Sequence, residues 1–208
     1  MKRVIGFELS PKYRLHSFPR VIRDERVDIL WEKREGHVFD GQMLSLKSYS
    51  PDLLVGEMID YRVWYACVQN PSLQRVFDVH PLSVSGRVIS NGKILVGRRS
   101  QKVTTYKGFL ECCPSGTLEG LSPEEAIRKE LEEETGIRSV RKILPKQIYW
   151  SVDDGVWDIH MDLLCEDMEM PLPTKEYEEF FWMNPQEKRE GRWVPLSEHL
   201  LQLSVEDE

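Results

Sequence analysis

The sequence predicts an α/β fold with an α+β extension at its N-terminus, and three stretches carry the prediction. Asn91-Gly92 separates the apolar runs 82–90 and 93–98 and is the strongest short turn signal in the chain, which marks a β-hairpin. Residues 122–136 hold a helix together with both of its stops. Residues 157–165 alternate cleanly, with Trp157, Ile159, Met161, Leu163 and Cys165 on one side and Asp158, His160 and Asp162 on the other. A half-exposed sheet face accounts for those three polar residues better than a ligand set does.

The helix is written out in full. Ser122 is a natural N-cap, Pro123 sits where the first turn tolerates proline, and Glu125 closes a Ser-x-x-Glu capping box. Gly136 ends it. Ile127 and Leu131 form an apolar stripe that holds it to a core. Glu130, Glu133 and Glu134 fall at i, i+3 and i+4 and share one face. Ala126, one turn earlier on that face, is too small to cover them. Three stacked carboxylates repel, and a solvated acidic face is the ordinary explanation. Arg128 and Lys129 lie beside the carboxylate face and do not interleave along it. The alternative is a set of hard oxygen ligands for Mg2+ or Mn2+. Pro114-Ser115-Gly116 favours it, because that turn places a backbone carbonyl ahead of the helix to complete the site.

These residues resemble the signature of the Nudix hydrolase family, G-x5-E-x7-R-E-U-x-E-E-x-G-U with U a bulky apolar residue. Residues 129–137 match its second half, with Lys129 in place of the arginine. The first half departs from it. The position of the first glutamate falls on Leu121 and that of the glycine on Ser115, so the loop is one residue short and Gly116 is the better counterpart of the glycine. No carboxylate replaces the first glutamate unless Glu119 does. If Leu121 and Lys129 replace a glutamate–arginine pair together, Leu121 is expected to be buried and Lys129 to reach Glu125 or Glu133.

The resemblance spans about residues 80–200 and implies a mixed β-sheet sandwiched between helices. It also implies Mg2+ or Mn2+ held by Gly116, Glu130, Glu133 and Glu134, and hydrolysis of the diphosphate bond of a nucleoside diphosphate derivative. Glu130, Glu133 and Glu134 are then the catalytic carboxylates, with Glu133 or Glu134 taking the proton from water. Arg98 and Arg99 end the second hairpin strand, where similar proteins carry an arginine facing the substrate; one of the two is expected to be a solvated strand end. A further glutamate near residue 178 is common in the family, and Glu178 and Glu179 are candidates by neighbourhood alone. The altered first half leaves a second reading, a non-catalytic nucleotide-binding module on the same fold.

Composition narrows the class further. Hydrophobic residues make up 40% and charged residues 30%, which describes a soluble globular chain. The net charge of −7 and pI near 5.4 argue against broad phosphate neutralisation, so no nucleic-acid partner is expected. Cys67, Cys112, Cys113 and Cys165 lack zinc spacing and read as reduced, mostly buried thiols of a cytoplasmic protein. Charges run throughout residues 1–15, and the longest apolar run is far too short to span a membrane. No nucleophile elbow and no phosphate-binding Gly-x-x-x-x-Gly-Lys loop is present.

Residues 1–78 are expected to pack as an extension on a core at 79–208, serving as a packing element, a homodimer contact or a determinant of substrate specificity. Residues 22–36 read as a helix around Val27, Leu30 and Trp31, residues 43–46 and 53–68 as strands, and residues 70–77 as a short helical turn. The order of helix, Asp40-Gly41 and strands, with Val38-Phe39-Asp40-Gly41, is similar to the leader of Nudix enzymes acting on UDP-sugars. A nucleotide sugar is therefore the first substrate expected, ahead of ADP-ribose and dinucleoside polyphosphates. Residues 109–114 and 146–151 read as strands, residues 192–196 as a closing strand, and residues 197–203 as a final helix.

Overall fold

The Asn91-Gly92 turn organises the strand pairing. In the computed structural model, which describes residues 3–35, 41–152, 154–187 and 190–203, both turn residues take positive φ, 49° and 69°, as a type I′ hairpin requires. They join β5 (Leu82–Ser90) to β6 (Lys93–Arg99), with Ile89 opposite Ile94. β5 runs parallel to β10 (Val156–Leu164), which pairs antiparallel with β9 (Lys142–Ser151), and β9 with β1 (Val4–Glu8). On the other side β6 pairs antiparallel with β11 (Tyr177–Met183). Two short strands, β7 (Leu110–Cys112) and β8 (Ser115–Thr117), attach to β6 and β5. The order among the described residues is β1-β9-β10-β5-β6-β11, a mixed sheet.

Helices cover both faces. α4 (Pro123–Thr135) starts at the expected Ser122–Glu125 capping box and stops at Gly136, φ 76°. It buries Ile127 and Leu131 against Val84, Leu95, Ile159 and Met161. α5 (Pro195–Leu200) lies over the opposite face, where His199 meets the Tyr149 ring edge-on and Ser197 Oγ accepts from the Cys112 N–H.

That second face corrects one expectation. Asp158, His160 and Asp162 do alternate away from the core residues of β10, but all three are buried. Their polar groups are met inside the fold: the Ser83 and Ser85 hydroxyls donate to Asp158, and Arg87, which is 0% exposed, donates to both oxygens of Asp162 at 2.8 and 2.9 Å. The Arg87 guanidinium also donates to the carbonyls of Leu200 and Leu203, tying the end of α5 to the sheet. Burial alone would raise the Asp162 carboxyl. The His160 and Arg87 contacts together outweigh that and hold it near 2.

A smaller sheet lies ahead of this core, with β2 (Arg14–Pro19) parallel and β3 (Gln42–Ser50) antiparallel to β4 (Leu53–Asp60). The expected strand 53–68 breaks after Asp60. Residues 61–69 form α2 (Tyr61–Gln69), because Val63, Ala66 and Cys67 bury at i, i+3 and i+4 although the aromatic, β-branched composition favours a strand. They share a core with Val27 of α1 (Glu25–Glu32) and Leu73 of α3 (Pro71–Phe77). The 38–41 phrase falls mostly outside the described residues. The Leu44 N–H donates to Leu118 O and the Leu46 N–H to His80 O, both at 2.8 Å, so β3 grips the loop that leads into α4.

At the C-terminal end the expected strand 192–196 is reduced to one bridge between Leu110 and Trp193, since Pro195 opens α5 at once. All four cysteines are free and buried. Among the described residues no helix is long and apolar enough to cross a membrane.

Candidate active site

The carboxylate face of α4 packs against β8. A Cβ built on Gly116 would stand 2.2 Å from Cδ of Glu130, so only glycine lets the backbone lie against that carboxylate. Glu130 is half-buried and has neither a hydrogen bond nor an ion pair among the described residues. Its carboxyl is pushed up to about 7, first by burial and then by the charges of Glu133, Glu176 and Glu119, with Lys129 opposing. Glu134 is 3% exposed and accepts from the Ser115 N–H at 3.3 Å. Burial raises it further, and Glu111, Glu176 and Glu130 add to the rise by repulsion. Glu133 is the outlier of the trio. It faces solvent, with Lys129 Nζ 3.9 Å away.

Two carboxylates not identified from the sequence complete the cluster. Glu111, on β7, is buried, paired with the Arg99 guanidinium and bonded by the Tyr177 hydroxyl at 3.0 Å. Glu176 precedes β11 and adds its charge at Glu111, Glu130 and Glu134 alike. Glu176, Glu178 and Glu179 are all exposed, and Glu179 is engaged on the surface by Arg98 at 3.0 Å. The two arginines part: Arg98 is half-buried and pairs with the exposed Glu179, while Arg99, the last residue of β6, pairs with the buried Glu111. Glu111 had a sequence signal, since an acid inside a run of apolar residues entering the signature loop has to be paired. Glu176 stood in an acidic stretch with nothing to distinguish it.

The altered half of the signature takes a different form from the one expected. Leu121 is 41% exposed, so apolar packing does not replace the missing glutamate. Lys129 does reach Glu133, at 3.9 Å, and also Glu119, at 3.7 Å. The loop before α4 is thus tied to the helix by Glu119, two residues ahead of where the signature places its acid.

Hard oxygen donors with no paired cation suit a divalent ion. Glu130 lacks a partner, and among the described residues no donor reaches Oε1 of Glu134, both of whose hydrogen bonds fall on Oε2. A cation would offset the cost of burying both carboxyls and relieve the repulsion that adds to it. As they stand, the described side chains do not gather three acidic, histidine or cysteine groups tightly enough to hold an ion. The fit therefore rests on the donor chemistry of Glu130 and Glu134 and on the close approach of Gly116.

Residues 79–207 match the family model described as the NUDIX domain, well over half of the chain. The chain belongs to the Nudix family. No curated protein matches it significantly. Among solved structures it is similar to DR0079 from Deinococcus radiodurans, with 18% identity over 59% of this chain and 81% of that one, at a TM-score of 0.49. It is similar also to a MutT protein from Methanosarcina mazei Go1, with 19% identity over 59% and 89% and a TM-score of 0.45. The NUDIX domain of Shewanella oneidensis NrtR, solved with ADP ribose, is 12% identical over 62% and 88%, at a TM-score of 0.46.

Proposed function

We propose that this chain hydrolyses the diphosphate bond of a nucleoside diphosphate derivative, a nucleotide sugar first among them, with Mg2+ or Mn2+ as cofactor. The observation that carries this reading is the approach of the Glu130 and Glu134 carboxyls to the Ser115-Gly116 backbone, with the paired Glu111 and Arg99 beside them. Glu130 and Glu134 would hold the ion beside the backbone of Gly116, with Glu133 as the third carboxylate of the same helical face. The bound ion supplies charge neutralisation on phosphate oxygens and a water of lowered pKa.

The remaining work falls to side chains. Glu176, whose charge is felt at Glu130 and Glu134, would accept the proton of the attacking water. Arg99 offers its guanidinium to a phosphate oxygen while Glu111 fixes its direction. A cavity of about 270 Å³ includes Glu111, Ser115 and Gly116 in its wall and continues to Ser83, Ser85 and Asp158. Among the described residues no lysine, arginine or histidine lines it, which suits the uncharged part of the substrate, with the phosphates outside at Arg99. Val194, Leu196 and Leu200 supply an apolar wall for a flat ring.

The test is a panel of UDP-, GDP- and ADP-sugars, ADP-ribose and dinucleoside polyphosphates with Mg2+, read by release of phosphomonoesters. Mg2+-dependent cleavage of a nucleotide sugar at the diphosphate supports the reading. Tight nucleotide binding without cleavage of any member would favour the binding-module alternative.

A further inference from the structure

We propose that Tyr177 is a positioning residue that aims Glu134 and couples it to Arg99, an inference that rests on the hydrolytic reading above. Three separate features of the chain converge on this side chain. Gly97, inside β6, has no room for a Cβ, which would meet the Tyr177 ring at 2.4 Å, so the strand gives up a side chain to admit the ring. The β6–β11 register shifts between Tyr177 and Glu179, and this bulge turns Tyr177 inward while Glu178 and Glu179 stay exposed. The buried hydroxyl then reaches two carboxylates, Glu111 Oε2 at 3.0 Å and Glu134 Oε2 at 3.3 Å.

Packing alone does not require that hydroxyl. Phenylalanine would fill the same space against Phe180, whose ring centroid lies 5.2 Å away. The hydroxyl brings one proton to a place where two acids meet, and so joins them. On the Glu134 side it approaches Oε2, which also accepts from the Ser115 N–H, so that among the described residues both contacts fall on one oxygen of that carboxyl. On the Glu111 side it holds the acid that pairs with Arg99. The tyrosine thereby fixes the spacing between the carboxylate assigned to the ion and the arginine assigned to the phosphate. Outer groups that orient ligands in this way typically control metal affinity by about 10–100-fold.

The experiment is Mn2+ binding without substrate, followed by electron paramagnetic resonance, on the full chain, Tyr177→Phe and Phe180→Leu. Thermal melts run alongside. Tyr177→Phe is expected to weaken Mn2+ binding by about 10–100-fold. Phe180→Leu, a packing change on the same ring, should lower the melting temperature and leave Mn2+ binding unchanged. Should Tyr177→Phe fail to fold, Glu111→Gln carries the test, since it leaves the ring packed and removes the charged acceptor that holds the hydroxyl; it too is expected to weaken Mn2+ binding. Unchanged Mn2+ affinity in the folded variant, beside a parent that binds, overturns the role of Tyr177 alone. A parent that binds no Mn2+ overturns the metal reading and this inference with it.

Discussion

Replacing Arg87 by Met should cost more stability than any other single change in the sheet. The side chain is fully buried, its guanidinium pairs bidentately with Asp162, and it satisfies the carbonyls of Leu200 and Leu203. Met fills much of the volume but strands a carboxylate that is 1% exposed. Breaking a buried pair from one side costs about 3–5 kcal/mol. Lys146 Nζ, 3.7 Å from Asp162 Oδ2, takes up part of the lost charge, which places the expectation at about 3 kcal/mol. For a chain of this size that is roughly a 6–12 °C drop in melting temperature. The pH dependence gives an internal check. Asp162 is held at about 2 in the folded protein, below the roughly 3.9 of an unfolded chain. Its contribution is therefore fully present above pH ~4 and disappears as pH falls through about 2. The gap between parent and Arg87→Met, measured by urea unfolding, should narrow over that interval. A loss below about 1 kcal/mol at pH 7, or a gap indifferent to acid, would refute the argument.

Other changes probe the loop and the site. Leu121→Glu should be close to neutral, within about 0.5 kcal/mol by thermal melt, because the side chain is already exposed. A loss of 2 kcal/mol or more would restore the buried-leucine view. Gly116→Ala should keep its fold yet lose about 100-fold in kcat, since the new Cβ displaces the Glu130 carboxylate, and kinetics beside circular dichroism check both halves. Addition of Mg2+ should raise the melting temperature of the parent and far less that of Glu130→Gln, whose unpaired carboxylate is gone.

Much of this was readable in advance where local chemistry decides the outcome. The Asn91-Gly92 hairpin and the capped helix 123–135 depend on residues within a few positions of each other, and both formed as written. The segment 61–69 misled because aromatic and β-branched side chains favour strands, whereas its fate was set by the spacing of Val63, Ala66 and Cys67 against α1 and α3. The polar face of β10 was legible as polar but not as buried. Its partners include Arg87, 75 residues away in sequence. The site shows the same limit. The helix supplies Glu130, Glu133 and Glu134 from one motif, but Glu111, Tyr177 and Glu176 arrive through strand pairing and a bulge that no local spacing announces.

The central claim is that Glu130 and Glu134 are the working carboxylates of a metal-dependent hydrolase. Turnover of the best substrate in the nucleoside diphosphate panel, with Mg2+, by the parent, Glu130→Gln and Glu134→Gln tests it most directly. Both substitutions keep shape and remove charge from groups that burial already strains, so the folds should hold while kcat falls by about 100-fold or more. Parent-level turnover in both folded variants would contradict the assignment.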